Sequence, residues 1–429
     1  MTQQDQSSRF STITRGLTAV ALAALGAAGP AQAVPADYFG LHIHYLGRGT
    51  AWPEVPVGSL RTWDAQLTWA ELQPQRDRFD FTRLDQYVQT ARQKGATVLV
   101  PLANTPAWAS SRPGEPSRYG PGRLAPPADM QDWRRYVEAV VRRYRGQVQA
   151  YEIWNEPSDA GHYTGTLPEL VTMACEARRI IRENDPAARV VSPASAGGGR
   201  HIAYLASFLS AGGRDCIDIV GHHFYVPRQS PEAMVPLIRQ VREVMKQNGI
   251  DHLPLWNTET GWWLEDTDGT AVSAMVQSGG GWQKLDGPTG AAWLMRALVL
   301  GRAEGLGRFY WYSLDNPYGL GLLQATSRTP KPALAALSQI QSWLDEREVS
   351  NCRTVASGVW SCELLDAGRR AVADLLWAES ATASMTAVPA DLRTRWAGCQ
   401  PPGESLVPAG RLSSLTLKPA PLLCPRATR

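Results

Sequence analysis

"VQAYEIWNEPSD", residues 148–159, is an apolar run that stops at an acid. Val148, Ala150, Tyr151, Ile153 and Trp154 make a short, almost uniformly apolar stretch, the pattern of a strand covered on both faces. Asn155, Glu156 and Pro157 then place a carboxylate where the strand gives way to a loop. A strand buried on both faces, with chemistry at its C-terminal end, is the unit from which (β/α)8 barrels are built.

The surrounding sequence repeats that unit. Further strand candidates are "YFGLHIHY" (38–45), "GSLRTWD" (58–64), "ATVLVPLA" (96–103), "RVVSPAS" (189–195), "IDIVGHHFY" (217–225), "LPLWNTET" (253–260) and "GRFYWYSL" (307–314). Between them lie amphipathic segments such as "DFTRLDQYVQTARQKG" (80–95), "MQDWRRYVEAVVRRYRG" (130–146), "LPELVTMACEARRIIREND" (167–185) and "PEAMVPLIRQVREVMKQNG" (231–249), with apolar residues at helical spacing. The alternation predicts an α/β fold, a (β/α)8 TIM barrel over residues 34–345. An open doubly wound sheet is the rival, but no GxGxxG follows the first strand. After "KPALAALSQIQSWLDE" (331–346) the texture changes to short runs such as "TVASGVWSCELL" and "RAVADLLWA". These predict a small β-sandwich-like domain over 346–429, packed on the barrel.

The 429 residues, 44% apolar and 19% charged, are enough for a large core. Forty-three Lys and Arg stand against forty Asp and Glu, dispersed rather than gathered into a stripe, so nothing asks for nucleic acid. Arg9 and Arg15 ahead of "GLTAVALAALGAAG" and then "AQA" at 31–33 predict a signal peptide over 1–33, cleaved after Ala33. The folded part is then secreted or periplasmic, with membrane contact only if the signal stays uncleaved. Export makes the six cysteines disulfide formers. Their pairing is open from sequence, with neighbours in each segment the simplest arrangement: Cys175 with Cys216, and Cys352, Cys362, Cys399 and Cys424 among themselves. A monomer without metal or cofactor is expected.

Glu259 ends the seventh strand as Glu156 ends the fourth, so the two face each other across the barrel mouth. Cleaving a glycosidic bond needs such a pair, one carboxyl to protonate the leaving oxygen and one to attack the anomeric carbon. Trp154, two residues before Glu156, would share its side of the strand and surround it with apolar surface. Arg61, ending strand two, is placed to keep Glu259 anionic, or else serves as a structural ion pair. His42 and His44 alternate onto one face, where His44, nearer the mouth, would reach a sugar hydroxyl or be a core histidine. Two long loops bring aromatic residues to the mouth: 104–130 with Trp108 and Tyr119, and 261–288 with Trp262, Trp263, Trp282 and a triple Gly that reads as a lid. Aromatic loops on two sides favour several subsites and an endo-acting enzyme.

"IWNEP", "GHHFY" and "TETGW", in that order, with residues 61–110 in support, resemble the retaining glycoside hydrolases of clan A, and most of all glycoside hydrolase family 39 with its β-xylosidases and exopolysaccharide hydrolases. The resemblance covers roughly residues 38–345. It implies Glu156 as general acid/base, Glu259 as nucleophile and Asn155 on the hydroxyl beside the anomeric carbon. It also implies that Tyr225, two residues after His223, holds the nucleophile and that Trp311 floors the sugar. The substrate implied is an oligo- or polysaccharide.

Two other functions compete with this reading. A metal-dependent amidohydrolase-type barrel would use His42, His44, His223 and Asp315, but strand five offers no histidine and strand four no lysine. A carbohydrate-binding protein without turnover has no reason to keep both carboxylates.

Overall fold

The computed structural model describes residues 33–271, 281–380 and 382–427. The expected signal segment lies outside them but for Ala33, as does the middle of the expected lid. No helix among the described residues is long and apolar enough to cross a membrane.

Eight strand positions close into a parallel barrel: β1 (Phe39–His42), β2 (Ser59–Arg61), β3 (Thr97–Leu102), β4 (Ala150–Ile153), β5 (Arg189–Val191, resuming at Ser195–Ala196), β6 (Val220–His223), β7 (Leu255–Thr260) and β8 (Arg308–Trp311). β5 pairs with β4 through its first segment and with β6 through its second, and bridges from Asn155 to Ala194 and from Val191 to Ile219 complete the ring. All eight predicted strands are present. Helices α1 (Thr82–Gln93), α2 (Met130–Arg143), α3 (Leu167–Asn184), α4 (Arg200–Ser210), α5 (Met234–Gln247), α6 (Gly287–Ala303) and α7 (Pro332–Leu344) follow β2 through β8 in turn. The connection from β1 to β2 carries no helix, so the strict alternation breaks there.

The inside of the barrel changes character along the strands. Leu99, Ala150, Val191, Ile219, Trp256 and Tyr310 form an apolar plug of their own. A Cβ at Gly40 would lie 2.5 Å from the Tyr310 ring, so glycine is what lets that ring enter. Two residues further along their strands stand His42, Glu152 and Thr258, with Arg61 reaching in beside them, all buried. This polar layer is the floor on which the site rests.

The C-terminal segment forms a four-stranded antiparallel sheet in the order β9 (Glu348–Ala356), β10 (Val359–Leu365), β11 (Ala371–Ala378), β12 (Leu422–Pro425). Strand alternation splits its side chains between two cores. Ala373, Leu375 and Trp377 join the core that runs between barrel and helices. Leu376, Ala378 and Leu422 meet Met385, Val388, Trp396 and Leu417 on the other face. The Trp377 indole donates to Glu232 Oε1 at 2.8 Å, and Glu232 is itself paired with buried Arg296 on α6. Disulfides join Cys175–Cys216, Cys352–Cys362 and Cys399–Cys424, the neighbour pairing in every case.

Candidate active site

Local irregularities in two strands aim the carboxylates. On β7, Trp256 and Thr258 face the barrel interior, so alternation would send Glu259 outward. The register against β8 shifts here, Phe309 facing Asn257 but Trp311 facing Thr260. This bulge turns Glu259 inward one residue after Thr258. At the end of β4, Trp154 and Glu156 both adopt positive φ, 63° and 47°. Neither residue is one that enters this region readily, and such strain collects at functional sites.

An open cavity of about 590 Å³ at the C-terminal ends of the strands is lined by both acids, together with His44, Tyr45, Trp63, Asp64, Arg118, Tyr119, Asn155, His162, Tyr225, Trp282, Tyr312 and Tyr318. A carboxylate oxygen of Glu156 lies within 4.8 Å of one of Glu259. Beneath them the buried Arg61 guanidinium donates from Nε to Glu152 (2.7 Å), from Nη1 to Glu259 Oε2 (2.8 Å) and from Nη2 to Asn155 Oδ1 (2.7 Å). Tyr225 donates its phenol to Glu259 Oε1 at 3.0 Å. Glu156 Oε1 sits 2.8 Å from His223 Nδ1, and its Oε2 3.3 Å from His162 Nδ1.

Burial pushes the Glu259 carboxyl up, to about 8; Arg61 and the Tyr225 hydrogen bond pull it down, while the negative charge of Glu156 adds to the rise. Burial likewise raises Glu152 against the pull of Arg61. It depresses His223, helped by Arg61, and depresses His162 in spite of Glu156, so both rings are neutral around neutral pH.

Of the residues singled out from sequence, Glu156, Glu259, Asn155, His44, Tyr225, Tyr119 and Trp282 line the cavity. Arg61 and His223 sit just behind it, holding the acids. Trp311, Trp262, Trp108 and Trp154 are elsewhere, which corrects the expectation for each. Trp311 follows Tyr310, which faces the interior, so alternation turns it outward, where it packs on Trp262 at 5.6 Å. Trp262 is buried between Trp311 and Trp293 of α6. Trp108 is half-buried against Trp69, under Arg76, with its indole bonded to Gln73 O. Trp154 also turns from the cavity, its indole on His162 O and its ring against Tyr163, because positive φ breaks the two-residue period.

In place of these, Tyr312 and Asp64 were missed, joined by a 2.6 Å hydrogen bond. Alternation counted from Tyr310 would have found Tyr312. His162, six residues past Glu156, carried no sequence signal. The donor set of the metal alternative does not converge: Asp315 accepts from the backbone N–H groups of His44 and Tyr45, and His42 bonds Thr258 O. Glu156, His223 and Glu259 do come together. The guanidinium 2.8 Å from Glu259 opposes a cation at that point.

The family profile of glycosyl hydrolases family 39 matches residues 57–351, which include both acids and all the strands from β2 to β8. The chain belongs to this family. Two curated relatives align with this family 39 protein over part of its length. β-Xylosidase of Geobacillus stearothermophilus is 26% identical over 167 residues, 33% of this chain and 33% of the relative. Endo-1,4-β-xylanase B of Humicola insolens is 28% identical over 141 residues, 31% of this chain and 35% of the relative. The chain thus spans about a third of the length of each. Among solved structures, a glucosidase from Croceicoccus marinus matches with a TM-score of 0.58 at 15% identity, over 88% of this chain and 81% of its own. The GH39 enzyme from Xanthomonas axonopodis pv. citri matches with 0.58 at 19%, over 87% and 78%. At such identities the likeness speaks for the barrel.

Proposed function

We propose that this protein is a retaining glycoside hydrolase acting on a poly- or oligosaccharide, with Glu156 as general acid/base and Glu259 as nucleophile. The observation that carries the reading is the pair itself: two carboxylates from β4 and β7 with oxygens within 4.8 Å. Retaining enzymes hold their carboxyl groups about 5–5.5 Å apart, whereas inverting ones leave about 6.5–9.5 Å for a water.

Each partner fits a step. As general acid Glu156 supplies the proton, while Arg61 and Tyr225 stabilise ionised Glu259. Glu156 gives its proton to the glycosidic oxygen as Glu259 attacks the anomeric carbon, and the bond to the leaving group breaks. The ester so formed removes the charge at Glu259, which favours ionisation of Glu156. Glu156 then takes a proton from a water whose oxygen attacks the anomeric carbon and frees Glu259. Because Asn155 Oδ1 accepts from Arg61, its amide NH2 is left for the neighbouring sugar hydroxyl.

Finer features belong to the same reading. Trp63, Tyr119, Trp282, Tyr45 and Tyr318 around the mouth supply flat faces for several sugar units, in keeping with endo action by a monomer. The names of the two curated relatives direct the proposal to β-linked sugars. Three disulfides suit an exported protein, secreted or periplasmic.

The test is a screen of nitrophenyl β-glycosides and β-linked oligosaccharides, followed by NMR of the first-formed anomer and by variants of the active pair. Glu156→Gln and Glu259→Gln each lose most turnover while keeping the wild-type fold. Azide rescues Glu259→Ala with an inverted glycosyl azide and Glu156→Ala with a retained one. Wild-type rates in either Gln variant, or an inverted hydrolysis product, would sink the assignment.

A further inference from the structure

One cation in the cavity lining has no part in the chemistry above. Arg118 stands on the loop between β3 and α2, and that loop is tied down. Arg112 donates to Thr164 O (2.5 Å) and Thr164 Oγ1 (2.7 Å), and Thr164 Oγ1 donates to Glu115 at 2.6 Å, binding the loop to the one after β4. Gly122 N donates to Glu115 O at 2.8 Å. The Arg118 guanidinium lies 4.9 Å over the Tyr119 ring, and Tyr119 meets Trp63 edge-on at 5.8 Å.

The hydrogen bonds of Arg118 use one nitrogen only. Nη2 donates to the Tyr119 hydroxyl (3.1 Å) and contacts His162 Nε2. Among the described residues no carboxylate lies within ion-pair distance, and Nε and Nη1 meet no protein acceptor. Neighbouring arginines are all engaged: Arg112 with Glu115, Arg123 with Glu71, Arg61 with Glu152 and Glu259. Arg118 is exposed and lines the cavity, whose other charged lining residues are Asp64, Glu156 and Glu259. A guanidinium with one edge open presents parallel N–H donors that match a carboxylate.

Its place in the cavity says which part of the substrate it meets. The other ring nitrogen of His162 faces Glu156 Oε2 at 3.3 Å, so Arg118 lies next outward from the acid that must touch the glycosidic oxygen. We propose that the leaving-group side of the cavity selects an anionic sugar, a uronate or a sugar with an acidic substituent, whose anion binds the Nε and Nη1 edge of Arg118. This rests on the assignment of Glu156 as the acid/base.

Titration of the full chain with methyl β-D-glucuronide, methyl β-D-glucoside and glucose 6-sulfate, followed by calorimetry or ligand-observed NMR, tests it. The glucuronide binds about tenfold tighter than the glucoside, as expected of a hydrogen bond between two charged groups. The sulfate arm shows whether any anion or only a carboxylate is accepted. Arg118→Gln narrows the difference to within about twofold, and Arg118→Lys keeps part of it, because a point charge replaces the fork. Equal binding of glucuronide and glucoside by the wild type, no binding of either, or a preference that survives in Arg118→Gln would each overturn the proposal. Turnover is measured apart from binding. A glucuronide preference lost in Arg118→Gln, with no glycoside cleaved, keeps the subsite and removes the catalytic reading; cleavage without the preference does the reverse.

Discussion

Arg61 is the residue on which both the floor and the nucleophile depend. Its guanidinium is fully buried and donates to Glu152, Glu259 and Asn155. Removing one member of a buried ion pair leaves the other desolvated and uncompensated, at a cost of about 3–5 kcal/mol. Arg61→Met is therefore expected to lose about that much stability in urea titrations, with activity gone; a loss under about 1 kcal/mol would mean that water screens the cluster. Glu259 has its own signature. It titrates near 8 when folded against a usual value of 4.5. Between these values the folded protein keeps a proton that the unfolded chain has lost, so stability falls as pH rises through that window. Glu259→Gln removes this dependence. Its melting temperature should gain on that of the wild type between about pH 5 and about pH 8. A difference that stays constant with pH would show that the carboxyl titrates normally.

At the scale of elements, strand irregularity places the chemistry. The bulge in β7 brings Thr258 and Glu259 to the same side, and the left-handed residues ending β4 turn Glu156 into the cavity and Trp154 out of it. A second device joins sheet to barrel. Trp377 of β11 donates to Glu232, which also holds Arg296 of α6. Trp377→Phe replaces a fully buried indole by a smaller ring and removes a hydrogen bond to a charged acceptor, together worth at least about 1.5–3 kcal/mol. Chemical denaturation is expected to show a loss of that size or more with turnover per folded molecule unchanged. No loss would mean that water replaces the indole on Glu232.

For the whole molecule, the C-terminal sheet is wedged between two cores. One of its faces completes the apolar surface beside the barrel helices, and the other carries the small layer clamped by Cys399–Cys424. "PALAALSQIQSWLDEREVSNCRTV" runs from α7 into β9 with no Ser-, Gly- or Pro-rich linker. Truncation after residue 345 should therefore yield insoluble protein. A soluble, active barrel with weakened polymer binding would instead make the segment an independent carbohydrate-binding module.

The alternation of apolar runs with amphipathic helical segments made the barrel legible, because β strands covered on both faces read as apolar runs whatever their neighbours. Glu156, Glu259 and Asn155 were legible because each stands where such a run ends, and Arg61 because a buried cation at a strand end needs an anion. The clustering of the cysteines left their pairing open, and the structure takes the simplest arrangement, neighbour with neighbour. Side-chain direction at irregular positions was decided by the tertiary structure. Trp311, Trp262 and Trp108 are aromatic residues near the mouth in sequence, yet the pleat turns Trp311 into the core, Trp293 of α6 holds Trp262 there, and Trp108 lies half-buried on Trp69. His162, Arg118 and Asp64 reach the cavity from loops, and a loop's path is set by contacts such as Arg112 on Thr164, between residues 52 positions apart. Local pattern encodes how buried a strand is; which side chains meet across a mouth depends on closure of the ring, and no short window of sequence contains that.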